Sequence, residues 1–255
     1  MTIQKDSLIH QKLEEARDRI PLPPPDLLVR SVVPTYLKHL DKQWRGGWSW
    51  QWPLLIAGPK KGGKTLLVYQ LIASCLLSWK PPWRVFYTDC KGDYQPKRIQ
   101  QILVLRGRNG QRQKELDRVE KLTLHSAMDI QDLVEWFLRA IDLGLWVIDG
   151  WDQLMSEIPF TKSLEVLSGF NHTKHMGAIL TMRGSVREIL PQVPWDSVPF
   201  FLYITKLRPH GRQRLRIWQN GPRYKISDRI LTFKYGVYVY QECECLERKV
   251  NSSMV

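Results

Sequence analysis

The stretch of sequence from Leu54 to Thr65 decides the fold and reads Leu-Leu-Ile-Ala-Gly-Pro-Lys-Lys-Gly-Gly-Lys-Thr. It begins with a short apolar strand, Leu54–Ala57, and leads into an apolar segment predicted to be a helix, Lys64–Trp79. The turn between them matches G-x-x-x-x-G-K-T in full, and the strand–loop–helix setting of this phosphate-binding loop is present. Glycines let the loop bend so that its N–H groups point inward, and the helix N-terminus adds partial positive charge. The motif therefore predicts a nucleotide-binding domain.

A second motif lies downstream, where the apolar run Leu145–Asp149 ends in an acid. This is the pattern of the strand whose carboxylate holds magnesium through water. Lys64 is expected to reach the β- and γ-phosphates, and the Thr65 hydroxyl to bind the ion, so ATP and Mg²⁺ are the predicted cofactors. A loop kept only for its fold is the alternative, and the added charge of Lys60 and Lys61 argues against it. The predicted nucleotide-binding residues are Gly58, Pro59, Lys60, Lys61, Gly62, Gly63, Lys64, Thr65 and Asp149, and the predicted metal ligands are Thr65 and Asp149.

Apolar strands and helices alternate along the middle of the chain, which favours an α/β fold with a mainly parallel central sheet. After Pro199, short strands separated by Gly, Pro and Asn predict an antiparallel extension of that sheet. The other predicted strands are Arg84–Asp89, Ala178–Met182, Phe200–Thr205, Arg214–Gln219, Ile230–Phe233 and Val237–Gln241, and the other predicted helices are Pro96–Leu105, Asp129–Ile141 and Thr161–His175.

The length of 255 residues suits one sizeable domain with an N-terminal extension. Residues 1–32 are predicted to form an amphipathic helix followed by a proline-rich linker, residues 33–245 the nucleotide-binding core, and residues 246–255 a flexible tail. An isolated amphipathic helix cannot bury its apolar stripe, so it either packs on the domain or docks on a partner.

Composition limits the class of protein and its partners. The formal net charge of +13 points to a polyanionic partner, with nucleic acid first and an acidic protein second, although a solvated basic surface is an alternative. The chain has 4 cysteines, too few for a disulfide scaffold, and Cys75 and Cys90 fall in apolar segments, which fits a reducing compartment. The N-terminus lacks the apolar block of a signal peptide, and the apolar stretch Leu66–Trp79 is too short to span a bilayer. We therefore expect a soluble intracellular protein with no membrane partner.

Several segments in order resemble the RecA-type recombinases, above all the RadA-like archaeal and eukaryotic branch. Leu40-Asp41-Lys42 followed by Arg45-Gly46-Gly47 resembles the family's Leu-Asp-x-x-x-x-Gly-Gly element, at the usual distance before the phosphate loop. Residues 87–98 resemble its Ile-Asp-Thr-Glu-Gly-x-Phe-x-Pro-Glu-Arg turn, and residues 202–206 resemble its C-terminal strands. The resemblance covers residues 33–240 and implies a RecA-like P-loop ATPase core.

Two departures from the family pattern concern hydrolysis. Lys91 stands where the family places the glutamate that activates the attacking water. A protonated lysine cannot serve as a base at neutral pH, so the catalytic residue is unknown and hydrolysis is expected to be weak or absent. Lys91 could instead contact the γ-phosphate and favour bound ATP. Arg183 replaces the family's γ-phosphate-sensing glutamine, and because a guanidinium binds phosphate, Arg183 is added to the predicted nucleotide-binding residues.

The segments at the family's two DNA-binding loops also differ. Residues 151–163 carry more acid than base, and residues 184–198 are proline-rich with Arg187 as the one arginine. The resemblance therefore implies a recombinase paralogue, an accessory subunit that assembles with related subunits in homologous recombination repair. It would be nuclear if eukaryotic and cytoplasmic otherwise. The alternatives are an active DNA-dependent ATPase with its own strand-exchange activity, and a RecA-type signalling ATPase outside DNA metabolism.

A basic hairpin near the C-terminus is the candidate DNA-binding surface. Strand alternation puts Arg212, Arg214 and Arg216 on one face, which suits a track of phosphates in single-stranded or branched DNA. A charged sheet edge that resists aggregation, or a surface for an acidic protein, would give the same pattern.

Overall fold

The computed structural model describes residues 32–49, 52–78, 83–106, 112–123, 143–153, 177–196, 198–207, 212–219, 221, 225–234 and 237–240. The strands are β1 Val32–Val33, β2 Trp48–Ser49, β3 Leu54–Gly58, β4 Arg84–Asp89, β5 Val119–Thr123, β6 Leu143–Asp149, β7 Gly177–Arg183, β8 Phe200–Leu207, β9 Arg212–Gln219, β10 Lys225–Lys234 and β11 Val237–Tyr240. The helices are α1 Lys38–Gln43, α2 Lys64–Ser78, α3 Pro96–Arg106, α4 Arg112–Leu116 and α5 Val186–Ile189, with 3₁₀ turns at Trp151–Gln153 and Leu190–Gln192.

Within these residues, one sheet has the strand order β11-β10-β9-β8-β3-β7-β6-β4-β5. The strands from β8 to β5 in that order run parallel to one another. β9, β10 and β11 continue the sheet antiparallel to their neighbours. The predicted α/β fold, with a mainly parallel sheet and antiparallel C-terminal strands, is confirmed at this level.

The register of the parallel strands brings their carboxyl ends to one edge. Gly58 at the end of β3 pairs with Arg183 of β7, and Asp149 at the end of β6 pairs with both Thr181 of β7 and Asp89 of β4. In open α/β sheets this edge is where ligands bind. The polar residues that end these strands therefore lie side by side.

Two apolar cores lie on the two faces of the sheet. The first packs α2 and α3 against the sheet and includes Ile56, Ile72 and Ile102, all fully buried. The second includes Leu55, Trp146 and Leu180 from the sheet, together with Trp151 and Ile189 from the short helical turns. Because side chains alternate along a strand, Leu55 and Ile56 contribute to opposite faces.

The segment before β3 packs on the first core rather than standing apart from it. Trp48 is fully buried, and Trp44 packs edge-on against Phe200 with ring centroids 5.0 Å apart. Asp41 accepts hydrogen bonds from the backbone N–H and the hydroxyl of Thr35 at 2.7 and 2.6 Å, which closes the turn before α1. The Leu-Asp element noted in the sequence therefore has a structural role here.

The predicted elements that fall on described residues form, with ends that differ by a few positions. The sequence prediction missed β1, β2, α1, α4, β5 and α5, which are short or lack a clear apolar period. The predicted helices Asp129–Ile141 and Thr161–His175, the N-terminal helix and linker up to residue 31, and the tail lie outside the described residues. None of the helices in the described part of the chain is long and apolar enough to cross a membrane.

Candidate nucleotide-binding site

The loop between β3 and α2 packs tightly against β8. A Cβ atom on Gly58 would lie 2.1 Å from the carbonyl oxygen of Ile204, and one on Gly62 would lie 2.9 Å from the carbonyl oxygen of Pro59. Gly63 has a φ of +98°, and Lys61, although not a glycine, has a φ of +58°. The loop conformation therefore depends on glycines where the sequence has them. It leads into the N-terminus of α2, which spans 15 residues and supplies a positive dipole end.

Lys64, the first residue of α2, folds back over the loop. Its ammonium donates to the carbonyl oxygens of Gly58 and Pro59, both at 2.9 Å. Burial, followed by the nearby Lys91 ammonium, lowers the pKa of Lys64 to about 8. An anion bound here would offset both effects, because it stabilises the charged form. The geometry and charge of Lys64 therefore favour an anionic ligand over the loop.

Asp149 lies at the centre of the polar cluster and is fully buried. Its Oδ2 accepts from the Thr65 hydroxyl at 2.8 Å and from the Tyr87 hydroxyl at 2.6 Å. Its Oδ1 accepts from the Lys91 ammonium at 2.5 Å and from the Thr181 hydroxyl. Four donors, from α2, β4, the turn after β4 and β7, thus converge on one carboxylate, and these hydrogen bonds stabilise its charge inside the protein.

Lys91 reaches Asp149 across the turn that follows β6. Gly150 has a φ of +98°, and a Cβ on it would lie 2.8 Å from both Cγ and Cε of Lys91. The stem of Lys91 therefore lies directly against a position that has no side chain. The ammonium is also 3.5 Å from the Thr181 hydroxyl, and the Lys91 side chain is only 20% exposed.

The charge of Lys91 decides the ionisation of Asp149. Burial by itself would raise the pKa of the Asp149 carboxyl. The Lys91 ammonium, together with the hydrogen bonds from Lys91, Thr181 and Tyr87, outweighs burial, so that pKa lies below its ordinary value. Asp149 is therefore a carboxylate at neutral pH, and Lys91 is its counter-ion.

Asp89, the other acid at this edge of the sheet, stabilises the turn that follows β4. Its carboxylate accepts from the backbone N–H groups of Lys91, Gly92, Asp93 and Tyr94 at 2.9 to 3.3 Å. The Lys121 ammonium lies 3.5 Å away. These bonds hold the turn that carries Lys91, so Asp89 positions Lys91 rather than facing a ligand.

Arg183 ends β7, where it pairs with Gly58 at the start of the loop, and its side chain is exposed. Its positive charge acts on Lys64, adding to the effect of Lys91. Its backbone N–H donates to the Asp152 carboxylate at 2.9 Å, which fixes the 3₁₀ turn after β6 against β7. The structure therefore brings Lys64, Thr65, Lys91, Asp149 and Arg183 to one edge of the sheet.

The fit of a magnesium ion depends on the acceptor positions of Asp149. A carboxylate offers about four lone-pair sites, and Asp149 already has four protein donors. An ion bound through water would need one of these sites for the water. In the described parts of the chain, no group of three or more His, Cys, Asp or Glu side chains is placed to hold a metal ion. The predicted pair, Thr65 and Asp149, is in contact, but its arrangement does not fit a metal without displacement of a donor.

Sequence reasoning did not single out Tyr87, Thr181 or Asp152 as parts of this site. Tyr87 and Thr181 are buried polar residues within apolar strands, and that placement is a weak signal for a polar network at the strand ends. Asp152 has a half-buried carboxylate whose charge acts on Lys64. The strand register that joins these residues is a tertiary property.

The candidate DNA-binding arginines lie on β9, on the far side of β8 from the loop. Arg212 is exposed and Arg214 and Arg216 are partly exposed, whereas Leu215 and Ile217 between and beside them are fully buried. The prediction that the three arginines share one face is confirmed. The predicted turn at residues 209–211 lies outside the described residues.

A comparison of the chain with protein-family models and with curated proteins finds no match.

Proposed function

We propose that this protein binds a nucleoside triphosphate, ATP, at the carboxyl edge of its sheet and hydrolyses it slowly or not at all. The observation that carries this proposal is the convergence of the loop at Gly58, the Lys64 ammonium and the Thr65–Asp149 pair at one site. Backbone N–H groups at a helix N-terminus, together with a lysine that folds over them, make an anion site suited to phosphates.

Weak or absent hydrolysis follows from the groups around this site. A general base must have a free acceptor near the attacking water. Lys91 offers only donors, and the carboxylates of Asp149 and Asp89 are each engaged by four or more donors. Lys91 and Arg183 would instead neutralise phosphate charge, which stabilises the bound nucleotide.

The wider proposal is an accessory subunit of a homologous recombination complex, with a RecA-like core. It rests on the resemblance to RadA-like recombinases over residues 33–240 and is supported by the mainly parallel sheet with antiparallel C-terminal strands. The basic face of β9 suits contact with single-stranded or branched DNA, and the nucleotide would act as a structural ligand and switch. Related subunits would be the protein partners.

Two measurements test the nucleotide proposal. Titration with a fluorescent ATP analogue should show saturable binding, which Lys64→Ala should weaken at least about tenfold because it removes a charge-assisted contact. Lys97→Ala, which removes an exposed lysine from α3, is the matched control and should bind as the parent does. Phosphate release should stay near the background of the buffer. Saturable binding that is equal in all three proteins would place the nucleotide elsewhere.

The assembly proposal is tested by co-purification from cells followed by mass spectrometry. Recovery of recombinase-family subunits is the expected result. Recovery of signalling proteins without any recombinase-family subunit would favour a RecA-type ATPase outside DNA metabolism, and rapid DNA-stimulated phosphate release would favour an active recombinase.

A further inference from the structure

The Lys91 ammonium stands in direct contact with the carboxylate that the sequence assigns to magnesium. Nζ lies 2.5 Å from Oδ1 of Asp149 and 3.5 Å from the hydroxyl of Thr181. We infer that Lys91 acts as an internal cation in place of magnesium, so that the site binds its nucleoside triphosphate without a divalent ion. This inference rests on the proposed nucleotide binding.

Asp149 has as many hydrogen-bond donors as it has acceptor positions. Thr65 and Tyr87 donate to Oδ2, and Lys91 and Thr181 donate to Oδ1. These donors fill the roughly four acceptor sites of a carboxylate. A hydrated ion brings water donors of its own, so it enters only if a protein donor leaves. Tyr87 and Thr181 are fully buried, and the Thr65 oxygen keeps lone pairs for an ion while its proton stays on Asp149. Lys91 is therefore the donor that would have to move.

Lys91 is held in place by its surroundings. Its stem lies against Gly150, where a side chain would meet Cγ and Cε at 2.8 Å. Its backbone N–H donates to the buried carboxylate of Asp89 at 3.2 Å, as do those of the next residues in the turn. The turn is therefore built to present the ammonium to Asp149. A divalent ion that left Lys91 in place would add two positive charges beside it and would be repelled.

The negative charge of a triphosphate must also be neutralised. A triphosphate is commonly neutralised in part by a divalent ion. Here Lys64, Lys91 and Arg183 supply positive charge at one edge of the sheet. The charges of Lys91 and Arg183 both act on the Lys64 ammonium and lower its pKa. The Lys91 ammonium has three N–H donors. It donates one to Asp149 and one to Thr181. The third can be donated to a phosphate oxygen.

The test is the affinity for a fluorescent ATP analogue measured in excess EDTA and in excess magnesium. With the unmodified protein, the dissociation constant in EDTA should lie within about threefold of that in magnesium. A loss of affinity of more than about tenfold in EDTA would overturn the inference while leaving nucleotide binding intact. No saturable binding in either buffer would instead remove the proposed function.

A variant without the Lys91 ammonium tests the role of that group directly. Lys91→Gln replaces the ammonium by a neutral amide on a side chain one atom shorter, and its affinity for the analogue should fall at least about tenfold in EDTA and recover in magnesium. Lys97→Gln loses the same charge from the exposed surface of α3 and should behave as the parent. A Lys91→Gln protein that binds equally in both buffers would contradict the inference. If this variant does not fold, the comparison of buffers with the unmodified protein still decides.

Discussion

The hydroxyl of Thr65, at the start of α2, lies 2.8 Å from Oδ2 of Asp149, at the end of β6, although the two residues are 84 positions apart. Thr65→Val keeps the β-branched shape but removes the donor, so the free energy of unfolding should fall by about 2 kcal/mol, the value for a hydrogen bond to a charged group. Thr65→Ser keeps the hydroxyl and should lose much less. Urea denaturation of both variants measures the difference, and equal losses would show that the methyl group rather than the hydrogen bond matters.

The ion pair of Lys91 and Asp149 should make stability depend on pH. In the unmodified protein the pKa of Asp149 is lowered, so its contribution to stability is present above the ordinary carboxyl value and is lost as the pH falls through the lowered one. Lys91→Met removes the ammonium that offsets the burial of the Asp149 carboxyl, so the pKa of Asp149 should rise. The stability lost by the variant should therefore be small in acid and grow to about 2–3 kcal/mol near neutral pH.

Urea unfolding of the parent and of Lys91→Met between acid and neutral pH measures how the difference in their free energies of unfolding changes with pH. Lys97→Met is the control, since it removes an exposed lysine and should differ from the parent by an amount that does not change with pH. A difference between Lys91→Met and the parent that stays constant with pH would show that the ion pair does not control the ionisation of Asp149.

Two glycines with a positive φ should respond differently to alanine. Gly58→Ala places a Cβ 2.1 Å from the backbone oxygen of Ile204 at a φ of +153°, and the loss of stability should be about 4 kcal/mol or more. Gly92→Ala has a φ of +72° with no atom within 4 Å of the new Cβ, so only the backbone cost of about 1–2 kcal/mol applies. Chemical denaturation measures both, and similar losses would mean that the loop does not pack on β8 as described.

The proposed contact of DNA with the basic face of β9 predicts how binding should depend on salt. Replacing Arg212, Arg214 and Arg216 together by Gln should flatten the slope of log affinity against log salt by roughly 2–3 units, because three phosphate contacts are lost. The control triple Lys38→Gln, Lys42→Gln and Arg45→Gln removes the same charge from exposed positions on and after α1. Fluorescence anisotropy with a single-stranded oligonucleotide gives both slopes. If the arginine triple keeps the parent slope, β9 is not the DNA-binding face.

Much of the fold could be predicted because its long elements carry their own signals. The apolar run before Gly58 and the helix from Lys64 have the periods of a buried strand and a buried helix. The short elements could not be predicted, since β5 and α1 owe their conformation to neighbours. Trp44, the residue that follows α1, packs against Phe200 of β8, so a tertiary contact holds the end of this short helix.

The sequence by itself determined the glycine-rich loop after β3, the acid at the end of β6 and the position of Lys91 after β4, because these depend on residue type and local spacing. The tertiary structure decided what Lys91 does. Parallel pairing of β4, β6 and β7 brings Tyr87, Thr181 and Lys91 onto Asp149, and long-range contacts of this kind leave no periodic trace in the chain. The physical reason is burial: a carboxylate removed from water requires donors, and the sheet register determines which residues supply them.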